Sequence, residues 1–276
     1  DIIRNLMVKF MNGEVKADDP ADLETMMELA DFEKMEQVRG RVDEVVKDPS
    51  VAEALKPWYR QFCKRPCFHD EYLRAFNRDN VTLVDTDGKG VDRITENAVI
   101  ANGETYEIDC LIYATGFEVG TGYTRRAGYD VTGEGGKSFA EEWEKGIRSL
   151  HGLMVRDFPN MFILGGPQGG FTANYPHNLS EQSEHAGYII EEALQRQASR
   201  VEPSAQAEAA WVDTIIEKAR LREKFLSECT PGYYNNEGKP SERAARASFY
   251  GAGSPEYFGI LAKWRESGDL AGLEIE

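Results

Sequence analysis

Residues 109–117 read Asp-Cys-Leu-Ile-Tyr-Ala-Thr-Gly-Phe and carry the first signal of a fold class. The run Cys110–Ala114 is continuously apolar and stops at Thr115-Gly116. Such a run is typical of a strand buried on both faces of a parallel sheet. A second run of this kind, Met161–Leu164, stops at Gly165-Gly166-Pro167. Together the two runs predict an α/β fold.

Both predicted strands end in a glycine turn. Ligands of open α/β sheets lie beyond the carboxyl ends of the strands, and glycine permits a close approach that a Cβ would block. Asn178, with Glu181 three residues later, resembles a capping box and predicts a helix after the second strand. The N-terminus of that helix would favour an anionic ligand. By spacing alone, an ordinary α/β core with glycine-terminated strands explains the pattern better.

The rest of the chain predicts helices and short strands. Apolar residues at helical spacing predict charged helices between about 20 and 56, ending at Pro57. Two more helices are predicted at about 205–228 and 256–266. Short β-type segments, several of them separated by Asp-Gly or Asn-Gly turns, are predicted at Val81–Val84, Val91–Ile94, Ala98–Ala101, Tyr106–Ile108, Ala247–Tyr250 and Leu273–Ile275.

The composition excludes several classes of protein. The 276 residues carry a net charge of −16, which argues against a nucleic-acid surface and disfavours anionic lipid. No stretch approaches the ~20 consecutive apolar residues of a membrane span. Four cysteines do not make a disulfide scaffold at this length, which favours a cytoplasmic location. Cys63, Cys67 and His69 lack a second Cys/His pair at zinc spacing, so no metal site is predicted.

Four linked motifs resemble the class B flavoprotein monooxygenases, and the Baeyer–Villiger branch in particular. The resemblance covers residues 55–276 in the family's order, while the earlier segment matches only in character. The matching stretches are Lys64-Arg65-Pro66 followed by Glu71–Leu73 and Phe76–Val81, then Asp109–Phe117 with the family's Ala-Thr-Gly segment, then Phe158–Pro167, and finally Tyr233-Tyr234, Gly238–Pro240 and Phe249-Tyr250.

The resemblance implies an enzyme that uses FAD, NADPH and O₂ to insert an oxygen atom beside a ketone carbonyl, giving an ester or lactone. Flavin supplies the difficult chemistry, and the protein positions and polarises the reactants. The stretch from Pro167 to Glu181 is longer than in the cyclohexanone-type branch, which favours a bulky ketone. Two alternatives stay open: a flavin monooxygenase that oxidises nitrogen or sulfur, and a non-catalytic or truncated acidic module that is inactive alone.

The resemblance also implies roles for single residues. Arg65 matches the family's active-site arginine, whose fixed guanidinium would stabilise the negative charge that develops on oxygen. Lys64 matches the lysine that meets the 2′-phosphate of NADPH, for which a flexible ammonium is well suited. Tyr233 stands where the family often has a tryptophan against the nicotinamide cofactor. The other implied contacts are Thr115, Gly116, Gly166 and Pro167 with the cofactors, and Phe171, Thr172 and Ala173 with the ketone.

The family's glycine-rich FAD and NADPH fingerprints do not occur in the sequence, which begins at Asp1. We therefore expect the C-terminal portion of the enzyme, with its N-terminal half as the missing partner and weak or no binding of FAD by this chain alone. The expected architecture is a partial flavoprotein fold with incomplete Rossmann-like FAD and NADP domains. It comprises a helical insertion at 1–62, part of the NADPH-binding domain at 63–110 and part of the FAD-binding domain at 111–276.

Overall fold

The computed structural model describes residues 8, 12, 20–116, 122–172, 174–239 and 241–276, without the side chains of 20–24 and 221. The chain divides into two compact units, Asp1–Phe117 and Glu118–Glu276, and each unit is described by itself. Among the described residues, no helix combines the length and the apolar character that crossing a bilayer requires. The three-part domain organisation expected from the sequence stays a prediction.

The described part of the first unit contains two helices, α1 (Pro20–Val45) and α2 (Pro49–Leu55), which confirm the helices predicted before Pro57. Helix α2 begins after Asp48, whose carboxylate accepts hydrogen bonds from the amides of Ser50 (2.8 Å) and Val51 (3.2 Å). This is the capping role for which aspartate is favoured. The two helices pack through a small core of buried Val42, Val46 and Ala52.

A single 3₁₀ turn, Gln61–Cys63, and the short helix α3 (Tyr72–Ala75) lead to a three-stranded antiparallel sheet in the order β1-β2-β3. Its strands are β1 (Arg93–Ile94), β2 (Ala98–Ala101) and β3 (Glu104–Glu107), close to three of the predicted segments. Asn102 and Gly103 join β2 to β3 with φ values of 53° and 78°. Positive φ at both positions is what the tight Asn-Gly hairpin turn requires.

The prediction of a buried strand at Cys110–Ala114 is wrong for this structure. The stretch forms no strand, and the side chains of Ile112 and Tyr113 are 81% and 71% exposed. Val81–Val84 forms no strand either. A strand exists only through hydrogen bonds to a neighbour, and no strand among the described residues pairs with either stretch.

The second unit is mainly helical, with one two-stranded antiparallel sheet. Two helical segments, Ala205–Ala219 and Glu223–Glu228, confirm the helix predicted at 205–228, and the helix Ser254–Ser267 confirms the one at 256–266. The elements are α4 (Tyr123–Ala127), the 3₁₀ turn Glu134–Gly136, α5 (Phe139–Glu144), α6 (Tyr175–Gln195), β4 (Val201–Pro203), α7 (Ala205–Ala219), the 3₁₀ turn Arg220–Arg222, α8 (Glu223–Glu228), the 3₁₀ segment Tyr233–Gly238, α9 (Glu242–Arg246), α10 (Ser254–Ser267) and β5 (Leu273–Ile275).

The predicted strands of this unit have different outcomes. Leu273–Ile275 is confirmed and pairs with β4, Val201 lying opposite Ile275. The predictions at Met161–Leu164 and Ala247–Tyr250 are wrong, because both segments are irregular. Met161–Leu164 is half-buried to exposed, and the amide of Ile163 donates to the carbonyl of Leu153 at 2.8 Å. As in the first unit, no described strand lies beside it.

The core of the second unit forms where α6, α7 and α10 meet. Trp211 and Ile215 of α7 pack against Tyr257 and Leu261 of α10, and a second cluster joins α6 to the 150–154 turn. Charged groups at its edge are paired: the buried carboxylate of Glu208 accepts from Arg148 Nη1 (2.5 Å) and from the amide of Arg156 (2.8 Å). Such pairing is what permits a carboxylate to be buried.

Two histidines are buried in contact within this core. His151 Nδ1 lies 3.1 Å from His185 Nε2, and Trp211 and Trp264 pack against the His151 ring. Burial lowers the pKa of His151 to about 4. Burial, and then the charges of His151 and Arg265, lower the pKa of His185 to about 3. Both rings are therefore neutral at pH 7, and one can donate its N–H to the other.

The histidine pair predicts a loss of stability in mild acid. The unfolded chain takes up protons as the pH falls through about 6.5, while the folded chain does not, so the free energy of unfolding decreases. Between pH 7 and 5.5 we expect a loss of about 1 kcal/mol for each buried histidine. Urea unfolding of His185→Gln should show roughly half of the combined loss of the two histidines. His177→Gln, an exposed control on the same helix, should show the combined loss in full. Equal losses in the two variants would contradict this account.

Candidate functional site

Gln168 holds the centre of the glycine-rich segment Gly165–Gly170. It is fully buried, and its backbone has a φ of 64°. This left-handed conformation is uncommon for a residue with a side chain and persists only where the surroundings fix it. Here each polar group is paired: Gln168 accepts from Ser149 Oγ (2.6 Å) and Trp211 Nε1 (3.2 Å), and donates to the carbonyl oxygens of Ile147 (3.0 Å), Arg246 (2.9 Å) and Ser248 (2.9 Å).

Gln182 of α6 holds the start of the same segment. Its Oε1 accepts from the amide of Gly165 at 2.8 Å, and its Nε2 donates to the hydroxyl of Tyr257 at 3.2 Å. Tyr257 in turn donates to the carbonyl of His151 at 2.8 Å. Burial raises the pKa of Tyr257 well above its usual range, so the hydroxyl stays a donor at all ordinary pH values. Helices α6 and α10 thereby fix the segment from one side.

Two glycines of the segment are required by close packing. A Cβ at Gly169 would lie 2.6 Å from Gln182 Nε2, and one at Gly170 would lie 2.6 Å from Asn178 Oδ1 and 2.8 Å from the Tyr257 ring. Real Cβ contacts are not this short, so the backbone approaches α6 and α10 closely because these residues are glycine.

Helix α6 starts earlier than the sequence predicted. Asn174 is its cap, with a side chain that accepts from the amide of His177 at 3.3 Å, and a proline stands in the first turn. The prediction of Asn178 as the cap is therefore wrong: Asn178 is buried within the helix, and its Oδ1 has no hydrogen-bond partner. The stronger signal is Asn174-Tyr175-Pro176, since proline is favoured in the first turn of a helix.

An aromatic cluster adjoins the end of the glycine segment. The ring of Phe171 lies 6.0 Å from Tyr234 and 5.0 Å from Phe249, and Tyr233 lies 4.3 Å from Tyr234. Phe171 and Tyr233 are 39% and 41% exposed, so the cluster offers an accessible apolar surface. Desolvation lowers the pKa of Arg222, and interaction with Tyr234 partly opposes that shift.

The structure thus brings several implied site residues of the second unit close together. Gly166 and Pro167 belong to the segment that Gln168 fixes, and Phe171 shares the aromatic cluster with Tyr233. The hydroxyl of Thr172 accepts from the amide of Asn174 at 3.2 Å, next to the start of α6. Ala173 lies outside the described residues.

The first unit carries the other implied residues. Lys64 and Arg65 follow the turn Gln61–Cys63, Lys64 in extended backbone. Lys64 is half-buried, and Arg65 is exposed, with no side-chain hydrogen bond or ion pair to the described residues. Thr115 and Gly116 are exposed as well; a Cβ at Gly116 would meet no atom within 4 Å, and its φ is 98°. The roles assigned to these residues stay predictions.

The sequence did not point to Gln168, Gln182 or Tyr257 as residues that shape the site. Gln168 stands between Gly166-Pro167 and Gly169-Gly170. A polar residue in such a setting indicates a structural role, because the backbone of an irregular segment needs hydrogen-bond partners. Gln182 stands four residues after Asn178 on the same face of α6, and both are buried. A buried polar pair at helical spacing predicts hydrogen bonds to a neighbouring segment.

Comparison with known proteins was made by sequence and by structure. No model of a protein family matches the chain. Neopentalenolactone D synthase of Streptomyces avermitilis is 51% identical over 259 residues, which cover 93% of this chain and 44% of that protein. Baeyer-Villiger monooxygenase ATR8 of Stachybotrys chlorohalonatus is 47% identical over 264 residues (94% and 42%). FAD-binding monooxygenase hmp7 of Hypomyces subiculosus is 46% identical over 269 residues (98% and 45%).

Solved structures agree with these relatives. A polycyclic ketone monooxygenase from Thermothelomyces thermophila matches with a TM-score of 0.85 and 35% identity, covering 94% of this chain and 43% of that one. The chain is homologous to part of a Baeyer–Villiger monooxygenase. An oxidized steroid monooxygenase bound to NADP also matches, with a TM-score of 0.73 and 26% identity over 90% of this chain and 45% of that one.

The match to Baeyer–Villiger monooxygenases is partial. The chain spans less than half the length of the relatives that it matches, and its fold is accordingly part of the α/β flavoprotein fold of that family. The sequence carries the signals of a parallel sheet, whereas the described strands are all paired antiparallel.

The described residues fit a bound flavin in two separate respects. In the first unit, Gly116 has open space where a side chain would stand, so a planar ligand can approach its backbone. In the second unit, the buried Oδ1 of Asn178 is an acceptor without a donor, near the start of α6. A buried acceptor costs free energy until a ligand or a water supplies the donor.

The glycine segment gives a prediction about stability. Gly170→Ala should destabilise the chain by about 1–3 kcal/mol, because the new Cβ would overlap Asn178 Oδ1 and the Tyr257 ring. Gly187→Ala is the control: this glycine is exposed on α6 with nothing near its Cβ position, and alanine there should stabilise by about 0.5–1 kcal/mol. Urea unfolding measures both, and a Gly170→Ala variant as stable as the parent would refute the close packing.

Proposed function

We propose that the chain is the C-terminal portion of a cytoplasmic Baeyer–Villiger monooxygenase that converts a ketone to an ester or lactone. The overall reaction consumes one ketone, one O₂, one NADPH and one proton, and yields one ester, one NADP⁺ and one water. The observation that carries the proposal is the Lys64-Arg65 pair, which supplies an exposed guanidinium without a protein partner in the described part of a chain whose relatives are Baeyer–Villiger monooxygenases.

Arg65 would act on the charge that develops during oxygen insertion. A bound FAD, reduced by NADPH, supplies the oxygen-transfer chemistry. The guanidinium is always protonated, and its planar array of donors would stabilise negative charge on the ketone oxygen and on the cofactor. Because no carboxylate in the described residues neutralises Arg65, its positive charge remains available for this purpose.

The cofactor and substrate contacts follow the same assignment. Lys64 would bind the 2′-phosphate that distinguishes NADPH from NADH, and Tyr233 would stack on the nicotinamide part of the cofactor. Thr115, Gly116, Gly166 and Pro167 would lie against the cofactors. Residues 1–62 would be a helical insertion, 63–110 part of the NADPH-binding domain and 111–276 part of the FAD-binding domain.

The ketone would be bulky or cyclic. Phe171, Thr172 and Ala173 would line its pocket, and the partly exposed rings around Phe171 offer apolar surface for a large hydrocarbon skeleton. Matched proteins named as a polycyclic ketone monooxygenase and a steroid monooxygenase support a substrate of this kind.

The N-terminal half of the enzyme would be the partner of this chain. Cys110–Ala114 is an apolar run with exposed Ile112 and Tyr113 and no paired strand in the described residues. Parallel strands from the other half of the enzyme would give this run the hydrogen bonds and burial that its composition calls for. The same half would supply the glycine-rich turn that binds the FAD pyrophosphate.

Flavin binding tests this partnership. Purified residues 1–276 should bind FAD weakly or not at all, because the pyrophosphate site belongs to the other half. Co-expression with the preceding half of the enzyme should give a yellow complex, measured as flavin absorbance after gel filtration. A colourless protein in both cases would favour the non-catalytic module instead.

Arg65 tests the reaction itself. In the reconstituted enzyme, Arg65→Ala should lower the rate of ester formation from a polycyclic ketone by about 100-fold or more, while NADPH is still consumed slowly. Arg93→Ala, which removes an exposed arginine of β1, is the matched control and should leave both rates unchanged. Unchanged ester formation by Arg65→Ala would reject the mechanism, and sulfide oxidation in place of ester formation would favour the nitrogen- or sulfur-oxidising alternative.

A further inference from the structure

We propose that Asp31 of helix α1 is a positioning residue for Lys64 and Arg65, an inference that rests on the proposed function of that pair. Asp31 is only 4% exposed. Its Oδ2 accepts from Arg60 Nε at 2.8 Å, and its Oδ1 accepts from the amide of Gln61 at 3.0 Å. One buried carboxylate therefore binds both the Arg60 side chain and the Gln61 backbone amide, in the segment that leads to Arg65.

The contact with Gln61 falls at a position that needs a partner. Gln61 is the first residue of the turn Gln61–Cys63, and the first amides of a helical turn have no acceptor within the turn. Arg60, which precedes the turn, makes no side-chain capping hydrogen bond. Asp31 supplies the missing acceptor from another helix, which fixes where the turn begins. Lys64 follows three residues later.

The other end of the connection is held by the same helix. Arg39 of α1 donates from Nη1 to the carbonyl of Pro57 at 3.0 Å, and its guanidinium lies 4.6 Å from the centre of the Trp58 ring. Helix α1 thus fixes residues 57–61 at two points. Beyond the turn, Cys63 is 2% exposed and its amide donates to the carbonyl of Arg60 at 3.0 Å.

Arg65 itself has few contacts that could orient it. Its carbonyl accepts a hydrogen bond from Cys67 Sγ at 3.7 Å, and its side chain is exposed. Upstream, Asp31 and the turn hold the segment that leads to its backbone. A guanidinium that must stabilise a developing charge acts best from a fixed position, since reorganisation then costs nothing during the reaction. Asp31 would contribute this preorganisation without touching a reactant.

The local structure separates this role from general stability. Asp31 lies three helical turns from the Val42, Val46 and Ala52 core that joins α1 to α2. Asp31→Asn retains an acceptor for the Gln61 amide but loses the charge opposite Arg60. Asp31→Ala loses both contacts. Glu33→Gln neutralises an exposed carboxylate on the same helix and serves as the control.

Hydrogen exchange of the 276-residue chain is the first measurement. We expect the amides of residues 61–65 to exchange about tenfold faster in Asp31→Ala, less so in Asp31→Asn, and at the parent rate in Glu33→Gln. Amides of residues 42–55 should keep the parent rate in all three variants. Unchanged exchange at 61–65 in both Asp31 variants overturns the proposal, as does a uniform increase over both segments.

Coupling in the reconstituted enzyme is the second measurement. Asp31→Asn should lower kcat for ester formation and raise the share of NADPH consumed without product, with little change in the KM for ketone. A merely structural role would lower the amount of active enzyme and leave that share unchanged, and this result also overturns the proposal. If the parent enzyme makes no ester, the proposed function fails, while the exchange data still decide whether Asp31 positions the segment.

Discussion

A strand forms only where neighbouring strands supply hydrogen bonds to its backbone. This constraint determines the structure of the two apolar runs that end in glycine turns. Cys110–Ala114 and Met161–Leu164 have the composition of buried parallel strands, yet neither has a strand beside it in the described residues. Their surroundings then differ. The segment after Met161–Leu164 is fixed by side chains of its own unit, whereas Cys110–Ala114 remains exposed. The same type of sequence thus gives two structures, according to what is available to pair with it.

In the second unit, the side chains of two buried glutamines supply hydrogen bonds to backbone groups in place of neighbouring strands. The side chain of Gln168 accepts from Ser149 Oγ and donates to the carbonyls of Ile147 and Arg246, and Gln182 Oε1 accepts from the amide of Gly165. Buried amides are costly unless each donor and acceptor is used, so a satisfied network of this kind specifies one arrangement. The glycines then allow α6 and Tyr257 to approach the segment. The order of the candidate site therefore comes from polar groups inside the unit.

The sequence predicts those parts of the fold that are determined locally. Helices α7 and α10 follow from apolar spacing, and the β2–β3 hairpin follows from Asn102-Gly103, because each signal acts within a few residues. The predicted start of α6 is four residues late, because both Asn174 and Asn178 can cap a helix. The proline two residues after Asn174 favours the earlier start. The hydrogen-bond partners of Gln168 and Gln182 include residues far away in sequence, so a local pattern indicates that partners are needed but does not identify them. The family motifs indicate Phe171 and Tyr233 as site residues, and both rings belong to one aromatic cluster of the second unit.

The placement of charge in the first unit separates two tasks that one arginine could not perform together. Arg60 is used structurally, paired with the buried Asp31, whereas Arg65 is exposed and has no protein partner in the described residues. A guanidinium neutralised by a carboxylate can no longer stabilise a new negative charge at full strength, and an unpaired one has little to orient it. Pairing the first arginine fixes the backbone for the second. Helix α1 is thereby linked physically to the Lys64-Arg65 motif.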